Sequence, residues 1–153
     1  MLSFLEYLKL NESHTSKFYS CAKLSTPSAE ALHNWINLNN IENPCSLEEL
    51  HCTIVWSKVK IYGYIPFTNS VVIDPSSYKL MLLGNEEEPV LVLSFDCPEF
   101  KERWNKANRM GAEVTYSEYI PHITLTYSSG NIDIEKISPP GFPIIFDREE
   151  IEE

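Results

Sequence analysis

The chain has 153 residues, 43% of them hydrophobic and 22% charged, with three Trp, eight Tyr and seven Phe, which fits one compact domain rather than a disordered chain. A formal charge of −10 argues against tight binding of long DNA or RNA, which rests on many Lys and Arg neutralising phosphates, so any nucleotide ligand is expected to be small. "MLSFLEYLKLNES" has no basic leader and no apolar run approaches the roughly 18 residues of a membrane span, so the expectation is a cytoplasmic protein with no membrane partner.

In "KFYSCAKLS" (17–25), Phe18, Ser20, Ala22 and Leu24 alternate with Tyr19, Cys21 and Lys23, as in a strand with one apolar and one more polar face. Thr26 is expected to cap a helix with Pro27 in its first turn, whose Ala29, Leu32, Trp35 and Ile36 form one stripe. Asn39, Asn40, Asn43 and Pro44 end the helix, and "HCTIVWS" (51–57) follows as a strand.

"KVKIYGYIPFTNSVVIDP" and "SYKLMLLGN" read as further strands, with turns at Gly63, Asp74-Pro75 and Gly84. "PVLVLSFD" (89–96) is a strand, and Asp96 with Glu99 resembles a capping box. The helix that follows sets Phe100, Trp104, Ala107 and Met110 on one face and ends at Gly111. "YIPHITLTYS" and "GFPIIFDRE" complete the strands. The order β-helix-β thus occurs twice, over nearly equal lengths, from Phe18 to His51 and from Val90 to His122. The expected fold is α+β: one domain over 1–153 with a bilobal duplicated β-α-β plan, in which two antiparallel sheets flank a central cleft and the helices lie outside. Lobe one spans about 17–75 and lobe two about 76–148.

"HCTIVWS" and "HITLTYS" carry the same His-x-Thr spacing at the same place in each block. Seven threonines in 153 residues make a Thr two places after a given His about a one-in-twenty event, so two at equivalent places form a signal. Alternation puts His51, Thr53 and Val55 on one face and Cys52, Ile54 and Trp56 on the other; His122, Thr124 and Thr126 likewise oppose Ile123, Leu125 and Tyr127. His14 lacks the apolar neighbours and His33 lies on the polar side of its helix, so neither is a candidate.

Two histidines suit cleavage of a ribose phosphodiester by its own 2′-hydroxyl, which needs a base for that hydroxyl and an acid for the departing 5′-oxygen near neutral pH. The Thr53 and Thr124 hydroxyls can donate to the non-bridging oxygens as charge grows there. No carboxylate-histidine cluster marks a metal site, and no cofactor is expected. Cys21, Cys45, Cys52 and Cys97 have no metal or redox spacing and are expected to be buried free thiols.

His51-Cys52-Thr53-Ile54 and His122-Ile123-Thr124-Leu125 resemble the paired H-Φ-[ST]-Φ motifs of the 2H phosphoesterase superfamily, with Φ apolar. The resemblance implies a bilobal α+β fold, metal-independent chemistry, and cyclic phosphates or 2′-5′ or 3′-5′ linked nucleotides as substrates. Within the superfamily, "FYSCAKLSTPSAEALHNWI" and "LHCTIVWSK" look most like the anti-CBASS phosphodiesterases of tailed phages, which degrade cyclic di- and trinucleotide signals of bacterial immunity. By that resemblance His51, Thr53, His122 and Thr124 are catalytic and Tyr19 contacts the ligand. Lys23, on the same strand face, is placed to meet a phosphate, and Glu149 and Glu150 to bond a base edge if the tail folds over the cleft. Lys58 and Lys60 follow the first motif and are candidates to offset the acidic field. The rival readings are an RNA-end 2′,3′-cyclic phosphodiesterase or 2′-5′ oligonucleotide hydrolase using the same four residues, and a non-catalytic cyclic-nucleotide sponge.

Overall fold

The structure, a computed structural model, describes residues 17–84 and 87–152. His14, the opening residues and part of the acidic "NEEEP" stretch lie outside the described residues.

β1 (Phe18–Leu24) buries Phe18, Ala22 and Leu24 in the main core and turns Tyr19 and Lys23 to its other face. The Ser25 hydroxyl accepts from the Ser28 N–H, so α1 (Thr26–Leu38) is capped one residue earlier than expected and Thr26 is its first helical residue. Ala29, Leu32 and Ile36 are buried as the stripe predicts, while Trp35 packs against the same core only partly buried. β2 (His51–Ser57) then pairs antiparallel with β1.

Residues 58–70, expected to contribute a strand, hold none. Gly63 adopts φ +83°, and Tyr64 and Phe67 turn inward to pack on the core instead of continuing a ladder. Only β3 (Val71–Ile73) is extended there. Asp74 accepts from the Ser76 N–H at the expected turn, and β4 (Lys79–Leu83) runs into Gly84 at φ +88°.

β5 (Val90–Ser94) precedes α2 (Pro98–Arg109), in which Phe100, Trp104 and Ala107 are buried. The expected capping box is absent. Pro98 fixes the first turn so that Cys97 holds the cap position, and its side chain makes no cap bond, leaving Asp96 one residue too early. β6 (His122–Thr126) and β7 (Ile144–Glu152) finish the chain.

One sheet has the order β2-β1-β7-β3 and the other β4-β5-β6, with antiparallel pairing throughout. β7 starts inside the span expected for lobe two, yet it lies between β1 and β3 of the first sheet, where Ile144 and Phe146 enter the core. β2 and β6 are the end strands of their sheets and adjoin each other. The Tyr119 hydroxyl donates to the Thr53 carbonyl at 2.7 Å and the Cys45 N–H to the Leu125 carbonyl at 2.9 Å, tying the two motif strands together.

A bulge sits at the same place in both. Cys21 pairs with Thr53 and Ser20 with Val55, leaving Ile54 unpaired; Val92 pairs with Thr124 and Leu91 with Thr126, leaving Leu125 unpaired. The extra residue reverses the alternation beyond it. Val55 and Thr126, expected beside the histidines, turn to the opposite face, where Val55 joins the main core and the Thr126 hydroxyl donates to the Asn43 carbonyl. Trp56 comes round to the side of Tyr19 and packs with Val90 and Val92, and Tyr127 packs against the same cluster.

Candidate active site

His51 and His122 are oriented by the same device. Each Nδ1 lies against the carbonyl two residues earlier, His51 on Glu49 at 2.6 Å and His122 on Ile120 at 2.8 Å. A carbonyl only accepts, so each Nδ1 carries the hydrogen and each Nε2 is the atom left to exchange a proton. Thr53 and Thr124 follow on the same faces, and His122, Thr53 and Thr124 are all buried, with 6%, 6% and 7% exposure.

Burial lowers the proton affinity of both imidazoles. It brings His122 down to about 4 from 6.5 against the opposing pull of the Ile120 carbonyl, with His51 nearby adding to the effect. His51 is lowered in the same direction by burial, again opposed by its carbonyl partner. The unfolded chain therefore takes up these protons first as pH falls, so stability is full above about 6.5 and is lost toward pH 4. For His122 the shift corresponds to about 3 kcal/mol, read as the difference in urea-unfolding free energy between pH 7.5 and 4. His122→Asn is expected to remove that part of the slope; an unchanged slope would contradict it.

Tyr19 joins the first pair, its hydroxyl 3.0 Å from His51 Nε2 and 2.9 Å from Thr53 Oγ1. The first strand thus places the Tyr19 hydroxyl directly on the first motif's two polar side chains. Lys23 lies directly across from His51 in the β1–β2 ladder, with Nζ 3.4 Å from the Glu48 carbonyl and 4.0 Å from Glu150. Glu150, opposite Cys21, stays on the Tyr19 and Lys23 face.

Glu149 does not reach the cleft. It stands opposite Ala22, on the core-facing side, and its buried carboxylate accepts from Ser20 Oγ at 2.7 Å, the Phe67 N–H at 3.0 Å, Arg103 Nε at 2.9 Å and the Tyr64 hydroxyl. Alternation within β7 allows only one of two adjacent glutamates to face the cleft, and the Arg103 guanidinium draws Glu149 inward. Lys58 and Lys60 are exposed beyond the end of β2. His33 bonds Asn37 on the same helix, away from the motifs.

Two features were missed in the sequence: the carbonyls of Glu49 and Ile120, and Arg148, which faces Lys23 across the β1–β7 ladder. The equal offset of both carbonyls from their histidines is the only trace the duplication leaves of the first. The four cysteines are buried and form no disulfide, and burial pushes the thiols of Cys21 up to about 11 and of Cys52 and Cys97 up to about 12, so these three stay protonated and unreactive at neutral pH. Among the described residues no three His, Cys, Asp or Glu side chains converge as a metal site would require, and no helix is long and apolar enough to cross a membrane.

A model of the family described as anti-CBASS protein Acb1 matches residues 16–153. The anti-CBASS protein Acb1 of Acinetobacter phage Ac42 is 31% identical over 135 residues, covering 88% of this chain and 89% of that protein. That of Salmonella phage S16 is 30% identical over 138 residues, covering 90% and 88%. In fold, the chain is similar to E. coli LigT solved with 3′-AMP, at a TM-score of 0.62 and 16% identity over 89% of this chain and 86% of that one.

Proposed function

The chain belongs to the anti-CBASS protein Acb1 family, and from its two matched histidine-threonine pairs we propose that it is a metal-independent phosphodiesterase. Its substrates are 3′-5′ linked cyclic di- and trinucleotides of the host's CBASS defence, opened in the host cytoplasm when a phage encodes it. The observation that carries this reading is the repeated Nδ1-to-carbonyl lock, which aims two Nε2 atoms from adjoining strands.

One neutral imidazole takes the proton of a ribose 2′-hydroxyl, whose oxygen attacks phosphorus. The new O2′–P bond forms as the P–O5′ bond breaks, and the other imidazole, protonated at Nε2, gives its proton to O5′. A phosphodiester anion between the rings opposes the effect of burial and favours a proton on one of them. Thr53 and Thr124 donate to the non-bridging oxygens, and Tyr19 holds His51 and Thr53 in register before the substrate enters. The product is a linear oligonucleotide ending in a 2′,3′-cyclic phosphate, which water can open to a 3′-phosphate by the same two groups.

Chromatography of cyclic di- and triadenylate incubated with the protein in excess EDTA tests this. Linear products are expected. Ligand recovered intact after denaturing the protein would make it a sponge, and cleavage abolished by EDTA would overturn the metal-free route.

A further inference from the structure

The two lobes correspond in register beyond the motifs. Lys23 faces His51 on one side and Arg148 on the other, as Ser94 faces His122 and Lys79. Beside each histidine's strand partner, Lys23 or Ser94, is a hollow lined in part by residues that directly precede that histidine in the chain. The one by His51 has a volume of about 270 Å³ and includes Lys23, Arg148, Glu48 and Glu150. The one by His122 has about 540 Å³ and includes Lys79, Lys101, Ser94, Asp96, Glu118 and Tyr119.

Each hollow therefore presents two cations and two carboxylates. In a chain with 12 Lys and Arg in all and a charge of −10, four of the 12 stand in these two places. The hollows differ in how committed their cations are. Lys23 and Arg148 are both held by Glu150, whereas among the described residues neither Lys79 nor Lys101 makes an ion pair. Two uncommitted ammonium groups suit a phosphate. The carboxylates and the Ser94 hydroxyl suit the hydroxyl and amino groups of a nucleoside, so the mixture fits a nucleotide better than a bare anion.

We propose that the hollow beside His122 is a second nucleotide subsite, in which Lys79 and Lys101 hold a phosphodiester that is not being cleaved. This rests on the cyclic-oligonucleotide reading. A ring must pass a nucleotide to each side of the scissile phosphate, and the hollow beside His51 takes the other one. A nucleoside 2′,3′-cyclic phosphate has one phosphate and one nucleoside, so it has no second phosphate to place there.

Steady-state kinetics of Lys79→Gln/Lys101→Gln test the subsite, with cyclic triadenylate and adenosine 2′,3′-cyclic phosphate as substrates. KM for the ring is expected to rise about tenfold or more while that for the mononucleotide stays within about twofold. Lys106→Gln/Lys136→Gln removes the same charge from exposed positions elsewhere and is expected to leave both values unchanged. An unchanged KM for the ring overturns the subsite, as does an equal rise for both substrates or an equal effect of the control. Failure of the unsubstituted protein to cleave the ring while it still cleaves the mononucleotide would instead overturn the reading on which the subsite rests.

Discussion

His51→Ala and His122→Ala are each expected to lower kcat for ring opening by about 10²- to 10⁴-fold, the range for one positioned proton-transfer group. Both rings are fixed at Nδ1 by backbone, so the loss falls on Nε2 chemistry and substrate binding is expected to persist. The two act in a single displacement, so the double variant is expected to be no slower than the worse single one. Multiplicative losses would mean independent steps, and a variant with near-full activity would remove that histidine from the mechanism. Single-turnover rates beside ligand affinity for the three variants decide this.

Glu149→Ala is expected to cost about 3–5 kcal/mol of folding stability, because it removes the carboxylate that, among the described residues, pairs with a largely buried guanidinium. Arg103 Nη2 is 2.8 Å from Glu149, with its side chain only 21% exposed, and its guanidinium lies over the rings of Tyr64 and Phe67 at 5.1 and 5.5 Å. Ser20, Tyr64 and the Phe67 amide would lose their acceptor as well. Burial and the Glu149 charge push the Tyr64 phenol upward, so it stays a donor at neutral pH. Removing both charges in Glu149→Leu/Arg103→Met is expected to recover the part of the loss that comes from the unpaired guanidinium, leaving the cost of the three donors that lose their acceptor. Urea unfolding of the two variants measures both effects, and a loss below about 1 kcal/mol in Glu149→Ala would show that water takes the carboxylate's place.

The duplicated β-α-β plan and its two apolar helix stripes were legible because a 3.6-residue period and paired motifs are local signals. Which strand joins which sheet was not. Ile144 and Phe146 show that β7 has a buried face, but nothing in "GFPIIFDRE" says that the chain crosses back to lie between β1 and β3. The bulges at Ile54 and Leu125 were equally hidden, since an unpaired apolar residue reads as one more step of alternation. That one step moved Trp56 toward the cleft cluster and Thr126 away from His122. For the proposed site, the matching placement of His51, Thr53, His122 and Thr124 at the starts of two strands, with Tyr19 on the strand beside the first pair, was legible from spacing and alternation. Glu149 was not, because its partner Arg103 is 46 residues away on α2 and only the fold brings the two together.

In the proposed reaction the substrate's own 2′-hydroxyl attacks phosphorus between two histidines. That attack is tested most directly by turnover of cyclic triadenylate beside its all-2′-deoxy analogue, with bound analogue quantified separately. Cleavage of the ribo ring to a product ending in a 2′,3′-cyclic phosphate or 3′-phosphate, with the deoxy ring bound but uncut, is the predicted result. Equal cleavage of both rings would contradict it.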